Sequence, residues 1–310
     1  MRILLYRPDG NTAPWAEDFA RQLPDATCVT WSEGAKPAPC DYAVVWAPPE
    51  AMLRELAEVK AIFLMGAGVD AIMRHVDLIP RHVPLVRLGD AGMGVQMAEY
   101  VVHAVLRYFR RFDLYDDQAA VGEWRPLAPH DRATFAVGIM GAGVLGQRVL
   151  DCLKPFGFPL HAWSRNGKEI AGVTSHAGLA GLDAFLRQSR VVVCMLPLTE
   201  ETTNILNRAN LAKMPPGSYV INVARGSHLA EPDLLTYIKS GHIAGATLDV
   251  FRNEPLPAQH PFWQEPRITI TPHIAALTLR DESVRQIAGK IALLQEGKPC
   301  PDIVNRELGY

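Results

Sequence analysis

The chain has 310 residues, 48% hydrophobic and 21% charged, an ordinary globular composition with room for two domains. Its formal net charge of -2 gives no electrostatic case for nucleic acid or an anionic membrane as partner. The cysteines Cys28, Cys40, Cys152, Cys194 and Cys300 are scattered without a Cys-x-x-Cys pair, which predicts reduced thiols, a cytoplasmic location and no metal site.

The opening Ile3-Leu4-Leu5-Tyr6 is too short for a signal peptide and predicts a first strand, followed by a helix over 15–23. Strands are expected at 26–30, 42–46, 61–65 and 83–88, with a helix over 52–59 and another opened by Gly66-Ala67-Gly68-Val69-Asp70. This alternation is the mark of a parallel sheet. No segment reaches the ~20 apolar residues of a membrane span. Apolar residues at helical spacing predict a long helix over 96–112, a core or interface stripe, and a Pro-rich loop follows over 124–132. A second series of strands is expected at 135–140, 159–163, 190–195, 218–222, 244–249 and 268–270, with helices over 179–188 and 233–240 among the connections. The tail, 281–296, predicts a helix that returns to the first domain. The chain thus reads as α/β, with two doubly wound parallel-sheet domains (Rossmann-like or flavodoxin-like) and a cleft between them. One domain takes 1–99 and 275–310, and the other takes 100–274.

The second series opens on Val137-Gly138-Ile139-Met140-Gly141-Ala142-Gly143-Val144-Leu145-Gly146, a buried strand running through Gly-x-Gly-x-x-Gly into a helix. Gly141 turns the chain, Gly143 lets a pyrophosphate approach the backbone, and Gly146 lets helix and strand pack closely. Unpaired amides at the helix start favour the phosphates. An NAD site then places Asp or Glu about 20 residues on, to hold the ribose 2′-hydroxyl. Here Ser164, Arg165 and Lys168 stand there instead, which suits a 2′-phosphate and predicts NADPH over NADH, with NADH still usable. Turn chemistry is the other reading of Ser164-Arg165-Asn166-Gly167-Lys168.

Ligands of open α/β sheets bind beyond the carboxyl ends of the strands. Three segments there carry ionisable side chains: Asn222-Val223-Ala224-Arg225-Gly226, Asp249-Val250-Phe251-Arg252-Asn253-Glu254-Pro255 and Thr271-Pro272-His273-Ile274-Ala275. Reducing a carbonyl beside a carboxylate needs a cation to orient the acid and a proton for the developing alkoxide. A guanidinium suits the first task. An imidazole backed by a carboxylate suits the second.

These segments, with the glycine turn, resemble the D-isomer-specific 2-hydroxyacid dehydrogenase family over essentially the whole chain. Val45-Trp46, Leu64-Met65-Gly66-Ala67-Gly68-Val69-Asp70, Asp90-Ala91-Gly92-Met93-Gly94 and Trp163-Ser164-Arg165 resemble its glyoxylate- and hydroxypyruvate-reducing branch, which prefers NADPH. The resemblance implies Arg225 as substrate-orienting residue, His273 as acid/base and Glu254 as its partner. It implies that Gly66, Ala67 and Gly68 offer amides to the substrate carboxylate, in a loop that opens a helix, and that Trp46 and Met65 limit the acid to two or three carbons. For the cofactor it implies Gly141, Gly143, Val144, Leu145, Gly146, Ser164, Arg165, Lys168, Leu196, Pro197, Thr202, Val223, Ala224 and Asp249. Gly167 departs from a further basic residue of that branch, and Glu254 stands where formate-oxidising relatives carry Gln. The expected activity is NADPH-dependent reduction of glyoxylate to glycolate and hydroxypyruvate to D-glycerate by a homodimer. A non-catalytic NADP-sensing protein of the same fold and a reductase of bulkier 2-oxoacids are the alternatives.

Overall fold

The structure is a computed structural model that describes residues 1–34 and 39–310. It divides into two compact units, Met1–Met93 with Thr278–Tyr310, and Gly94–Leu277.

In the first unit the strands are β1 (Arg2–Tyr6), β2 (Thr27–Thr30), β3 (Tyr42–Val45), β4 (Ala61–Leu64) and β5 (Leu85–Val86). They form one parallel sheet in the order β2-β1-β3-β4-β5, the flavodoxin-like order. Every residue of β3 and β4 is buried, as strands covered on both faces require. Helices α1 (Ala13–Gln22), α2 (Glu50–Arg54) and α3 (Asp70–Met73) connect the strands. The helix expected over 52–59 is only the five residues of α2, and the one opened by the 66–70 loop is the single turn of α3. The closing helix of the chain, here labelled α10 (Arg280–Gln295), packs on α1.

The second unit has seven parallel strands, β6 (Val137–Met140), β7 (Leu160–Ser164), β8 (Thr174–Ala177), β9 (Val191–Cys194), β10 (Ser218–Asn222), β11 (Ile243–Leu248) and β12 (Ile268–Ile270). Their order, β12-β11-β10-β9-β6-β7-β8, is the doubly wound nucleotide-binding arrangement with one strand added. It reverses direction between β6 and β9, so the crevice of the fold lies beyond these two strand ends. The sequence expectation of about six strands missed β8. Thr174-Ser175-His176-Ala177 is a largely exposed edge strand with no apolar run to announce it.

The helices of this unit are α4 (Met93–Phe109), α5 (Phe112–Ala120), α6 (Val144–Leu153), α7 (Gly178–Gln188), α8 (Arg208–Leu211) and α9 (Glu231–Lys239). The helix expected over 96–112 ends at Phe109, because Arg111 takes a left-handed φ of 58° and α5 starts afresh. Met97, Val101, Val105 and Phe109 pack into the unit's own core with Val137, Ile139 and Val191, so the apolar stripe of α4 is spent there. Among the described residues no helix is long and apolar enough to cross a membrane.

Candidate active site

The glycine turn follows β6. Gly141 has φ +110°, and a Cβ there would stand 2.7 Å from the Met195 carbonyl oxygen, so a side chain is excluded twice over. Gly146 packs so closely on the turn that its Cβ would lie 1.9 Å from the Gly141 oxygen. Gly143 is different: a Cβ there would meet no protein atom within 4 Å, although the residue caps the start of α6. Strand-to-turn packing fixes the outer two glycines, and the middle one leaves its backbone open to a phosphate, so the loop fits a pyrophosphate. Val144 is exposed at the first position of α6, and Leu145 is half-buried.

β7 ends at the half-buried Ser164, and Arg165 and Lys168 stand exposed beyond it. Gly167 has φ +64°, with a Cβ position 2.9 Å from the Ala177 Cβ, so the turn itself demands glycine where a basic residue would be strained. Beyond β9, Leu196 is buried, and the Thr202 hydroxyl donates to the Pro197 carbonyl at 2.8 Å while accepting from the Thr199 N–H. Thr202 therefore braces the Leu196-Pro197 loop. Val223 and Ala224 are buried beyond β10, where Asn222 Oδ1 accepts from the Ala224 N–H.

The ionisable groups lie beyond β10, β11 and β12, three neighbouring strands. Asn222 Nδ2 donates to the Arg225 carbonyl at 3.0 Å, and an Arg225 Nη1 donates to the Ala224 carbonyl. Gly226 then passes so close to the next loop that its Cβ would lie 1.9 Å from the Phe251 carbonyl carbon. In that loop the Phe251 N–H donates to Glu254 Oε1 at 2.9 Å. The other oxygen, Oε2, is 2.8 Å from His273 Nδ1. A carboxylate only accepts, so Nδ1 carries the proton and Nε2 is left for a substrate. His273 and Glu254 are partly open to solvent, as groups that meet a substrate must be.

His273 sits at φ 56°, an uncommon conformation for a residue with a Cβ, costing about 1–3 kcal/mol. Asp249 holds it there. Its carbonyl accepts from the His273 N–H at 2.8 Å, and its buried carboxylate accepts from the Ile274 and Ala275 amides at 2.8 Å each and from the Thr271 hydroxyl at 2.6 Å. Tyr100 of α4 meets the same Thr271 hydroxyl at 2.5 Å. Burial pushes the Tyr100 pKa up to about 12, so it stays protonated and donates, which directs the threonine proton to Asp249. Both oxygens of Asp249, expected at the cofactor, thus brace the turn that carries His273.

In the first unit, Trp46 is 39% exposed, unlike a core aromatic, and its ring lies against Gly66, whose Cβ would be 2.4 Å from Trp46 Cζ3. Gly66 is buried, Ala67 and Gly68 are half-buried, and Met65 is 1% exposed. Because α3 is one turn long, few peptide dipoles align behind this loop, so it can offer individual amides but little helix dipole.

Residues 102–275 match the family described as D-isomer specific 2-hydroxyacid dehydrogenase, NAD binding domain. The chain is 47% identical to a glyoxylate/hydroxypyruvate reductase A of Serratia proteamaculans and 46% identical to one of Yersinia enterocolitica, each alignment covering 100% of both chains. The chain belongs to the D-isomer specific 2-hydroxyacid dehydrogenase family. Among solved dehydrogenases of this family, one from Xanthobacter autotrophicus Py2 in complex with NADPH and MES superposes with a TM-score of 0.94 at 35% identity, covering 100% of this chain and 99% of that one. An NADPH-dependent glyoxylate/hydroxypyruvate reductase from Sinorhizobium meliloti in complex with NADP and sulfate does so at 0.89 and 33%, with the same coverage.

Three parts of this dehydrogenase site were missed by sequence reasoning. Gly226 appears in the motif, but its contact with the Phe251 backbone is a tertiary fact. Thr271 and Tyr100 form a relay across 171 positions of sequence. Asn222 ends β10, and neither its residue type nor its neighbour Arg225 in the motif signals that the amide side chain holds the Arg225 carbonyl.

Proposed function

We propose that this chain is an NADPH-dependent reductase of small 2-oxoacids, converting glyoxylate to glycolate and hydroxypyruvate to D-glycerate. The observation that carries the reading is the His273–Glu254 pair at 2.8 Å, beside the Arg225 turn and on the same sheet edge as the glycine loop. Bound NADPH supplies the hydride. The chain supplies everything else. Arg225 orients the oxoacid with its planar guanidinium. His273, protonated for this step, delivers a proton from Nε2 to the alkoxide oxygen, while Glu254 fixes the ring through Nδ1.

For the cofactor we assign Gly141, Gly143, Val144, Leu145 and Gly146 to the pyrophosphate, and Ser164, Arg165 and Lys168 to the 2′-phosphate. Leu196, Pro197, Thr202, Val223, Ala224 and Asp249 frame the rest. The relatives of known structure that hold NADPH or NADP support this preference. From the first unit we assign the amides of Gly66, Ala67 and Gly68 to the substrate carboxylate, with Trp46 and Met65 restricting its size. The exposed Trp46 ring favours the small-acid reading over bulkier oxoacids.

We further propose a cytoplasmic homodimer. Cys28, Cys152, Cys194 and Cys300 are thiols. Val95 near the start of α4, Phe112 at the start of α5, and Val121 and Trp124 after it are large apolar side chains left exposed, which supports burial against a second copy. Assay of NADPH oxidation with glyoxylate, hydroxypyruvate and phenylpyruvate tests the reading. Turnover of the two small acids is expected, and no turnover with any of them would hand the fold to a cofactor-sensing role.

A further inference from the structure

His228 lies three residues beyond Arg225 and is 0% exposed. A buried histidine needs partners for both ring nitrogens, and here both partners belong to the site. Nε2 is 3.2 Å from the Pro197 carbonyl, in the loop beyond β9 that we assign to the cofactor. Nδ1 lies between two backbone atoms of one residue, 3.2 Å from the Arg225 N and 3.0 Å from the Arg225 carbonyl oxygen. We propose that His228 is a positioning residue that ties the Arg225 turn to the Pro197 loop, so that the substrate-orienting guanidinium is registered against the cofactor.

The tie works in either protonation state. A neutral ring donates from Nε2 to Pro197 and accepts the Arg225 N–H at Nδ1. A charged ring donates from both nitrogens, to the Pro197 and Arg225 carbonyls. Burial opposes the charge, but contact with the Cys194 sulfur and the two carbonyls outweighs it and holds the pKa above the usual histidine value. The remaining charged groups near the turn are committed elsewhere: Arg252 donates to the Leu229 carbonyl, and Glu231 Oε1 accepts from the Arg252 N–H. The histidine backbone is pinned too, since the Leu206 N–H donates to its carbonyl at 2.9 Å. A side chain fixed at both ends of its ring and along its backbone is a rigid strut, and packing alone would be served by leucine.

This inference rests on Arg225 as the residue that orients the oxoacid. The test compares His228→Leu, which fills the site without polar atoms, with His228→Asn, which keeps a polar atom near the Nδ1 position. In the leucine variant the KM for glyoxylate should rise by about tenfold or more, with a smaller fall in kcat. The asparagine variant, which keeps the Arg225 bond but loses the Pro197 bond, should fall between the leucine variant and wild type. In cofactor-free protein, the Arg225 backbone amide resonance should move in His228→Leu and stay close to its wild-type position in His228→Asn. An unchanged KM in a folded leucine variant overturns the proposal, and so does an asparagine variant equal to wild type, which would leave the Pro197 bond without a role. If the wild type turns over no 2-oxoacid, the functional reading falls, and the amide resonance alone decides: an unmoved Arg225 signal in His228→Leu overturns the strut.

Discussion

Gly226→Ala adds one methyl group at the point where the Arg225 turn crosses the loop that carries Glu254. The new Cβ would stand 1.9 Å from the Phe251 carbonyl carbon, 2.2 Å from its oxygen and 2.3 Å from the Arg252 nitrogen. All three are backbone atoms, so no side chain can swing aside. Ordinary contact begins at 3.4 Å, so one loop must retreat by about 1.5 Å. Overpacking of this kind costs about 1–3 kcal/mol of stability, and more where backbone is the obstacle. The effect on rate should be larger, because Phe251 donates the bond that fixes Glu254, which in turn fixes His273. Misplacing reacting groups by about 1 Å costs on the order of a hundredfold. Steady-state kcat/KM with NADPH and glyoxylate should therefore fall by about two orders of magnitude, while NADPH affinity, measured by nicotinamide fluorescence, changes little. A folded alanine variant with near wild-type kcat/KM would refute the claim that the two loops register the site.

Other perturbations separate the remaining roles. Replacing His273 by Ala should lower kcat by about 10²–10⁴ with NADPH binding intact, and a matching loss of cofactor affinity would make the residue structural instead. Arg165→Ala should raise the KM for NADPH by about tenfold or more and spare NADH, whereas equal effects on both cofactors would remove the 2′-phosphate assignment. Asp249→Ala strands the Ile274 and Ala275 amides at about 1–3 kcal/mol each, so thermal stability and kcat should fall together; a stable variant lacking only cofactor affinity would return Asp249 to a purely binding role. His161 and His176, with Nδ1 and Nε2 3.1 Å apart on β7 and β8, both have pKa values lowered by burial. The unfolded chain takes up these protons more readily, so stability should decline as pH falls from about 7 to about 5. The double substitution His161→Gln with His176→Gln should flatten that decline, and an equally steep Tm curve would count against the pair.

The sequence was most legible where a strand is buried on both faces. β10 and β9 fall within the apolar runs at 218–222 and 190–195, because a covered strand has little choice but to be apolar. The edge strand β8 was invisible for the opposite reason. The end of α4 was misplaced because the break lies in a backbone angle at Arg111, not in a residue type that announces one. The glycine turn was readable because Gly141 and Gly146 answer local steric demands, which show in their contacts, while Gly143 leaves its backbone open. The convergence of Glu254 and His273 could be anticipated from strand ends alone. What holds them could not: Asp249, Thr271, Tyr100 and His228 act through bonds between segments far apart in sequence, and none belongs to a residue type that implies such a bond.

The central claim is hydride transfer to a small 2-oxoacid held by these groups, and isotope transfer tests it most directly. Wild-type protein is supplied with glyoxylate and NADPH carrying deuterium at nicotinamide C4, on each face in turn, and the product is read by mass spectrometry. Glycolate carrying a single deuterium on its hydroxyl-bearing carbon, from one face only, is the predicted result. Cofactor that stays reduced, or glycolate formed without the label from either face, would contradict it.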